Sequence, residues 1–326
     1  MFFDLGPAAI GEKTRFMVGQ TYRVLVLYGG DSAERAVSLE SGSAVAAALA
    51  EAGHDVRLLD PAHEDLWEYD FAEFDVVFPM LHGAFGEDGG VQEILRRRGM
   101  PFVGSDAKAS ALAFHKSRAK DVWRRVGLPT PRSVLLDPEA TPRDVAAKVR
   151  GLRPPLVVKP DAQGSSIGVA VGVRPETMTP AIERAREAWP WVLIEEFVSG
   201  DEWTVALFEC EPFPAIRIRP GSRFYDYHAK YVSDRTVFDV APTDVPREIQ
   251  QHLQRLAVDA AESLGVRGIS RVDLRVVRPG SPWLLEVVTI PGMAAHSLVP
   301  MAARAAGWSL AELCDRAVRE ALRRCL

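Results

Sequence analysis

The chain has 326 residues, 47% hydrophobic and 25% charged, with a formal net charge of −5. This is ordinary globular composition, enough for two or three domains at about 100–200 residues each. The acidic balance gives no nucleic-acid surface, and no run reaches the ~20 apolar residues of a membrane span, so neither partner is expected.

Three cysteines, Cys210, Cys314 and Cys325, are odd in number and lack metal spacing. They read as reduced thiols of a cytoplasmic protein. Residues 1–20, MFFDLGPAAIGEKTRFMVGQ, carry Asp4 and Glu12 and no continuous apolar core. They are expected to form a short extension, not a secretory signal.

In chain order the first unit is β-loop-α-β. RVLVLY (23–28) is an apolar strand, GGDSAERAVS (29–38) a polar loop, LESGSAVAAALAEAG (39–53) an Ala-rich helix and HDVRLLD (54–60) a second strand. Such units build parallel sheets with ligands at the strand C-termini. FDVVFPML (74–81) is a third strand entering HGAFGEDGG (82–90); the helix VQEILRRRG and the short strand PFVG complete an α/β domain over 21–115. A central unit, 116–198, opens with the helix KSRAKDVWRRVG. PLVVKPDAQGSSIGVAVGV (155–173) then reads as two strands joined by a Gly/Ser tip, followed by the helix TPAIERAREAWP and the strand VLIEEFV (192–198). The last unit, 199–326, is richest in strands: EWTVALFE, FPAIRIRP, ISRVDLRVV (269–277) and WLLEVV. It also holds the polar aromatic loop GSRFYDYHAKYVSDR (221–235), a helix over 247–264 and a closing helix around 308–323.

One strand pair carries chemistry. In ISRVDLRVV, Arg271 and Asp273 share one face while Val272, Leu274 and Val276 share the other. A simple hairpin on the turn RPGS (278–281) sets Asp273 opposite Glu286 and Arg271 opposite Val288. Directly opposed like charges destabilise a sheet. Either a shared cation such as Mg²⁺ removes the penalty, or Arg271 pairs with both acids.

Nine ordered segments between about 23 and 320 resemble the D-alanine:D-alanine ligase family of the ATP-grasp superfamily. They are GGDSAERAVSLESG, LHGAFGEDGGVQ, GSDAKASALAFHKSRAK, VVKPDAQGSSIGV, IEEFVSGDEWTV, FYDYHAKY, SRVDL, LLEVVTIPGM and HSLVPMAARAAG. The resemblance implies a three-domain ATP-grasp architecture of α/β and α+β parts, with an N-terminal parallel α/β domain. It implies ATP-dependent joining of two D-alanines for peptidoglycan synthesis, with Mg²⁺ or Mn²⁺ as metal. The family commonly dimerises through its N-terminal domain, so a homodimer is expected.

Roles transfer residue by residue. Lys116 and Lys159 resemble the lysines on the ATP phosphates, and Lys230 resembles a phosphate contact of the aromatic lid. Glu195 and Glu202 resemble adenine-side and ribose contacts, with backbone contacts at Glu196 and Val198 between them. Glu34 resembles the carboxylate on the first D-alanine's ammonium group, and His82 a residue near that alanine. Ser297 and the backbone of Leu298 resemble the groups on the second alanine's carboxylate. Arg271 and the Gly292 N–H resemble oxyanion donors; Ser165 and Tyr231, with Glu34, resemble a network tying two loops over the site. Asp273 and Glu286 resemble metal ligands.

The chain departs from the pattern at Val288, where the family's metal strand carries Asn; Ala36 and His228 each replace a common acid. Hydrocarbon cannot coordinate a cation. Alternatives to an ordinary ligase are therefore a slowed enzyme with water in the vacant position, or a nucleotide-binding relative with little turnover. A ligase with another D-amino-acid acceptor is a further alternative.

Overall fold

The structure, a computed structural model, describes residues 20–221, 235–277 and 281–324. The N-terminal extension, the lid segment with His228, Lys230 and Tyr231, the tip of the RPGS turn and Cys325 lie outside the described residues.

β1 (Arg23–Leu27), β2 (Asp55–Leu59) and β3 (Val76–Pro79) form the expected parallel sheet in the order β2-β1-β3. β1 is apolar throughout its interior because both its faces are covered. Leu25 and Leu27 meet Phe71, Phe74 and the helix α2 (Gly90–Arg97), whereas Val24 and Val26 share a core with α1 (Arg35–Glu51). That second core is completed by the last helix of the chain, α9 (Leu310–Arg324), through Leu313, Cys314, Ala317 and Val318. PFVG contributes only an isolated parallel bridge, Phe102 to Val77. α1 begins at Arg35, before the predicted 39, because polar residues read as loop find partners. Arg35 pairs with Asp60 at 2.6 Å, and Ser38 accepts from Gly29 N at 2.8 Å.

The second sheet is antiparallel, β4-β7-β5-β6: β4 (Ser133–Leu136), β5 (Leu156–Pro160), β6 (Ala170–Val173) and β7 (Val192–Glu196). α5 (Pro142–Val149) and α6 (Met178–Ala188) pack on one face against Leu136, Val158 and Ile194. The predicted 155–173 hairpin is β5–β6, and its tip holds Ser165 and Ser166 at φ 50° and 58°. α3 (Ala107–Phe114) leads into α4 (Lys116–Arg125). α4 buries Ala119 and Trp123 in the core of the third sheet, although the sequence reading grouped it with the central unit.

The third sheet runs β11-β10-β8-β12-β13, with β9 on the edge of β8. Its strands are β8 (Asp201–Phe208), β9 (Glu211–Pro212), β10 (Ile216–Arg219), β11 (Val237–Val240), β12 (Ile269–Val277) and β13 (Ser281–Val288). One face packs α7 (Arg247–Ser263) and α4; Ala206, Ile216 and Ile218 reach the core beneath the first sheet, beside α8 (Leu298–Ala305). α8 was not anticipated as an element. The β12–β13 hairpin is not simple. Val277 pairs with Ser281 and Leu274 with Leu284, so continuous pairing would set Asp273 against Leu285. A bulge there advances β13 by one residue and delivers Glu286 to Asp273 and Val288 to Arg271. Leu284 and Val287, three apart, both enter the core as a result, and Glu286 turns out of it.

Among the described residues no helix is long and apolar enough to cross a membrane, and Cys210 and Cys314 are free thiols.

Candidate active site

The second and third sheets enclose a cleft of about 710 Å³, open mouth included. Lys116, Lys159, Glu195, Glu196, Val198, Glu202, Asp273 and Glu286 all line it. Six predicted nucleotide residues and both predicted metal ligands thus share one space. Lys159 closes β5, is buried, and donates to Glu195 Oε1 at 2.6 Å. Lys120, fully buried on α4, lies 2.9 Å from Glu195 Oε2. Burial alone would raise the Glu195 pKa, but the two ammonium groups, Lys120 foremost, lower it to about 2. Both oxygens of this carboxylate, expected on the adenine side and lining the cleft, face lysines. Glu202 accepts from Arg275 at 3.1 Å, and Glu196 from the Arg153 amide at 3.1 Å.

Lys116 starts α4. Its ammonium donates to the Gln163 carbonyl at 2.7 Å and lies 2.9 Å from Glu286 Oε2. Burial disfavours its charge, but Glu286, together with Asp161 and Glu87, outweighs this and the pKa is raised. Asp273 accepts from Arg271 Nε at 2.9 Å and Nη2 at 2.8 Å, and from Thr204 Oγ at 2.7 Å. The opposed acids are therefore compensated by two cations, Arg271 on Asp273 and Lys116 on Glu286. Among the described residues no cluster of three or more His, Cys, Asp or Glu could hold a metal. The protein's donor set is two carboxylates facing one cleft. That set suits Mg²⁺, which is usually held by one or two carboxylates together with substrate phosphates and water.

The other half of the site joins the phosphate-side hairpin to the first sheet. Glu34, buried at the start of α1, accepts from Ser165 Oγ at 2.5 Å. A Cβ on Gly164 would lie 2.4 Å from Glu34 Oε1, so this approach needs glycine. His82 is buried, with Nδ1 3.5 Å from Glu87 Oε1 and Nε2 3.4 Å from Ser41 Oγ. Ser41 Oγ also accepts from the Met293 amide at 3.2 Å, drawing the Gly292 turn toward α1. Ser297 precedes α8 without using its hydroxyl as a cap, and that oxygen would stand 3.0 Å from a Cβ on Gly292. Leu298 is the first residue of α8, where helix amides lack intrahelical acceptors and favour anions. Tyr231 and Lys230, predicted beside these groups, lie outside the described residues.

Sequence reasoning missed Lys120, Ser41 and Glu87. Lys120 stands one helical turn after Lys116, a spacing that puts both on one face. Glu87 sits in GEDG, inside the predicted loop that His82 opens. Ser41 carried no signal, since a serine in an Ala-rich helix is unremarkable until the fold brings Met293 to it.

Two antiparallel sheets closing on a cleft of lysines and carboxylates, beside a parallel α/β domain, define an ATP-grasp enzyme. Family models match in both halves: D-ala D-ala ligase N-terminus over residues 61–105 and D-ala D-ala ligase C-terminus over 122–319. The chain belongs to the D-alanine–D-alanine ligase family, an ATP-dependent group of ligases. D-alanine–D-alanine ligase B of Chromobacterium violaceum is 44% identical over 292 residues, 90% of this chain and 95% of that protein. The ligase of Aromatoleum aromaticum is 46% identical over 292 residues, 90% and 93% of the two chains. The ATP complex of a Bacillus anthracis D-alanine–D-alanine ligase superposes with a TM-score of 0.81 at 30% identity, covering 94% of this chain and 99% of that one. The VanG D-Ala:D-Ser ligase of Enterococcus faecalis gives 0.80 at 28% identity, covering 93% and 100%.

Proposed function

We propose that this chain condenses two D-alanines into D-alanyl-D-alanine, consuming ATP and releasing ADP and phosphate. The observation that carries the reading is the Ser165–Glu34 hydrogen bond. It links the hairpin beside the nucleotide cleft to the carboxylate of the first-sheet domain, so the two reactants meet under one loop. The carboxylate oxygen of the first D-alanine attacks the γ-phosphorus and ADP leaves. The amine of the second attacks the acyl phosphate carbonyl, a proton is lost, and phosphate leaves.

Each group has a task. Lys116 and Lys159 bind phosphate oxygens; Glu195 orients Lys159. Glu34 takes the first ammonium group, and Ser297 with the Leu298 amide takes the second carboxylate. Arg271 and the Gly292 N–H stabilise the oxyanion, a role worth about 3–4 kcal/mol per donor in hydrolases. Asp273 and Glu286 would hold Mg²⁺, or Mn²⁺ in its place, and their pairs with Arg271 and Lys116 orient both toward the cleft. The metal, when bound, neutralises charge on the phosphates. Closure of the hairpin, with Tyr231 and Lys230 on the lid, excludes water from the acyl phosphate. A cytoplasmic homodimer completes the reading.

Val288 favours one variant of it, a ligase that needs more Mg²⁺ than a chain with Asn there. The test is coupled ADP release with D-alanine and Mg²⁺, compared with L-alanine, D-serine and no amino acid. D-Alanine-dependent release is expected. A D-serine preference would move the assignment to a mixed-dipeptide ligase; ATP binding without D-alanine-dependent release would defeat it.

A further inference from the structure

We infer that Lys120 is a positioning residue for nucleotide binding, the strut that fixes the Lys159–Glu195 pair relative to the strand presenting Glu286. This rests on the reading of the cleft as the ATP site. Lys120 is fully buried, which a lysine almost never is without paired partners. Its ammonium group touches three elements. It lies 2.9 Å from Glu195 Oε2 on β7, donates to Thr130 Oγ at 2.8 Å in the segment before β4, and stands 3.4 Å from the Leu284 carbonyl on β13. Thr130 Oγ itself donates to the same carbonyl at 2.9 Å, and the Leu284 amide donates to the Pro129 carbonyl at 2.9 Å. Leu284 immediately precedes the bulge that turns Glu286 into the cleft.

The same helix presents Lys116, one turn earlier, to Glu286. α4 thereby holds both sides of the cleft, Lys116 on the metal strand and Lys120 on the lysine-carboxylate pair. Lys120 does not line the cleft and acts through Glu195. The charged groups that bear on it are Glu195 on β7, Lys159 on β5 and Arg124 on its own helix. Burial, offset in part by Glu195 and reinforced by Lys159, brings its pKa down to about 8. Loss of its proton at alkaline pH would leave Glu195 with Lys159 alone.

The test uses the whole enzyme with Lys120→Met, Lys120→Arg and Thr130→Val, reading KM for ATP, KM for D-alanine, half-saturating Mg²⁺ and the pH profile of kcat/KM for ATP. Lys120→Met should raise KM for ATP and half-saturating Mg²⁺ about tenfold or more, the scale seen when a residue supporting a ligand is removed. KM for D-alanine should stay within about twofold, because that site is held by other elements. Lys120→Arg should recover most of the loss and erase the alkaline limb near pH 8, since guanidinium does not titrate there. Thr130→Val should show a smaller rise in KM for ATP. Unchanged KM for ATP in folded Lys120→Met protein would overturn the inference. If that variant does not fold, an unchanged KM for ATP in folded Thr130→Val, which removes the hydroxyl between Lys120 and Leu284, would overturn it equally. Calorimetric titration with ADP reads the same comparison without turnover, so a wild type that binds ADP but makes no dipeptide rejects the ligase reading and leaves this one standing.

Discussion

In the nucleotide cleft, ion pairs of 2.6–2.9 Å hold the side chains: Lys159 and Lys120 on Glu195, Lys116 on Glu286, Arg271 on Asp273. At the amino-acid end, beside the local His82–Glu87 contact, the links between distant segments are hydroxyl bridges, Ser165 to Glu34 and Ser41 to Met293. The first region is compensated charge in a poorly hydrated place, where deleting one partner strands the other. The second is a seam between domains, where a lost hydroxyl removes a modest bond and leaves both sides folded. Stability and phosphate binding should therefore respond mostly to the first region, and coupling between the half-reactions to the second.

The largest effect is expected from Glu195→Ala, which leaves Lys159 and Lys120 buried side by side. A loss of about 3–5 kcal/mol in urea unfolding is expected, the cost of breaking a buried pair. A loss below about 1 kcal/mol would erase the contrast between the regions, since surface pairs cost that little. The same residue gives a pH signature. Its folded pKa, about 2, lies below its ordinary 4.5. The stabilisation is thus complete above pH 4.5 and is lost as pH falls toward 2. Glu195→Gln should flatten that slope in acid unfolding curves.

Next comes Lys159→Ala, expected to weaken ATP binding by about 2–3 kcal/mol by calorimetry, the range of a charged hydrogen bond. Unchanged affinity would remove this lysine from the phosphate site.

Val288→Asn should lower the Mg²⁺ concentration for half-maximal ADP release by about tenfold. The observed register sets residue 288 opposite Arg271 on the Glu286 face, so the new oxygen would point toward the acids. Superimposable Mg²⁺ curves would show that residue 288 is remote from the metal.

Last is Ser165→Ala, about 1.5 kcal/mol in unfolding, the low end for a hydrogen bond to a charged group because Ser165 is only half-buried. Its informative readout is the ratio of dipeptide to ADP, which should fall as acyl phosphate meets water. A ratio held at wild-type level would mean that this hydroxyl does not seal the seam.

Much of this arrangement was legible. The alternation of ISRVDLRVV gave β12 with its observed bounds, and the turn gave the Asp273–Glu286 opposition. The bulge that realises it was not legible, because nothing local in WLLEVV distinguishes a bulged strand from a straight one. It is stabilised by what packs against it, Leu284 and Val287 in a core shared with α4 and α7. Lys120 was illegible for a related reason. In KSRAK it looks like solvated helix surface, and its partner Glu195 lies 75 positions further along the chain. The Glu34–Ser165 network was reachable only through family resemblance, since the contact spans 131 positions.

The docking of α9 beneath the first sheet has a consequence for how the chain is made. Synthesis delivers β1, α1, β2 and β3 early, but Leu313, Cys314, Ala317 and Val318, which cover one side of them, are made only after both other sheets. Until then Val24, Val26 and Phe78 lack part of their cover. The first sheet stays partly unclad until that helix is made, and a chain stopped before Leu310 would present a sticky apolar face, a substrate for chaperones and proteases.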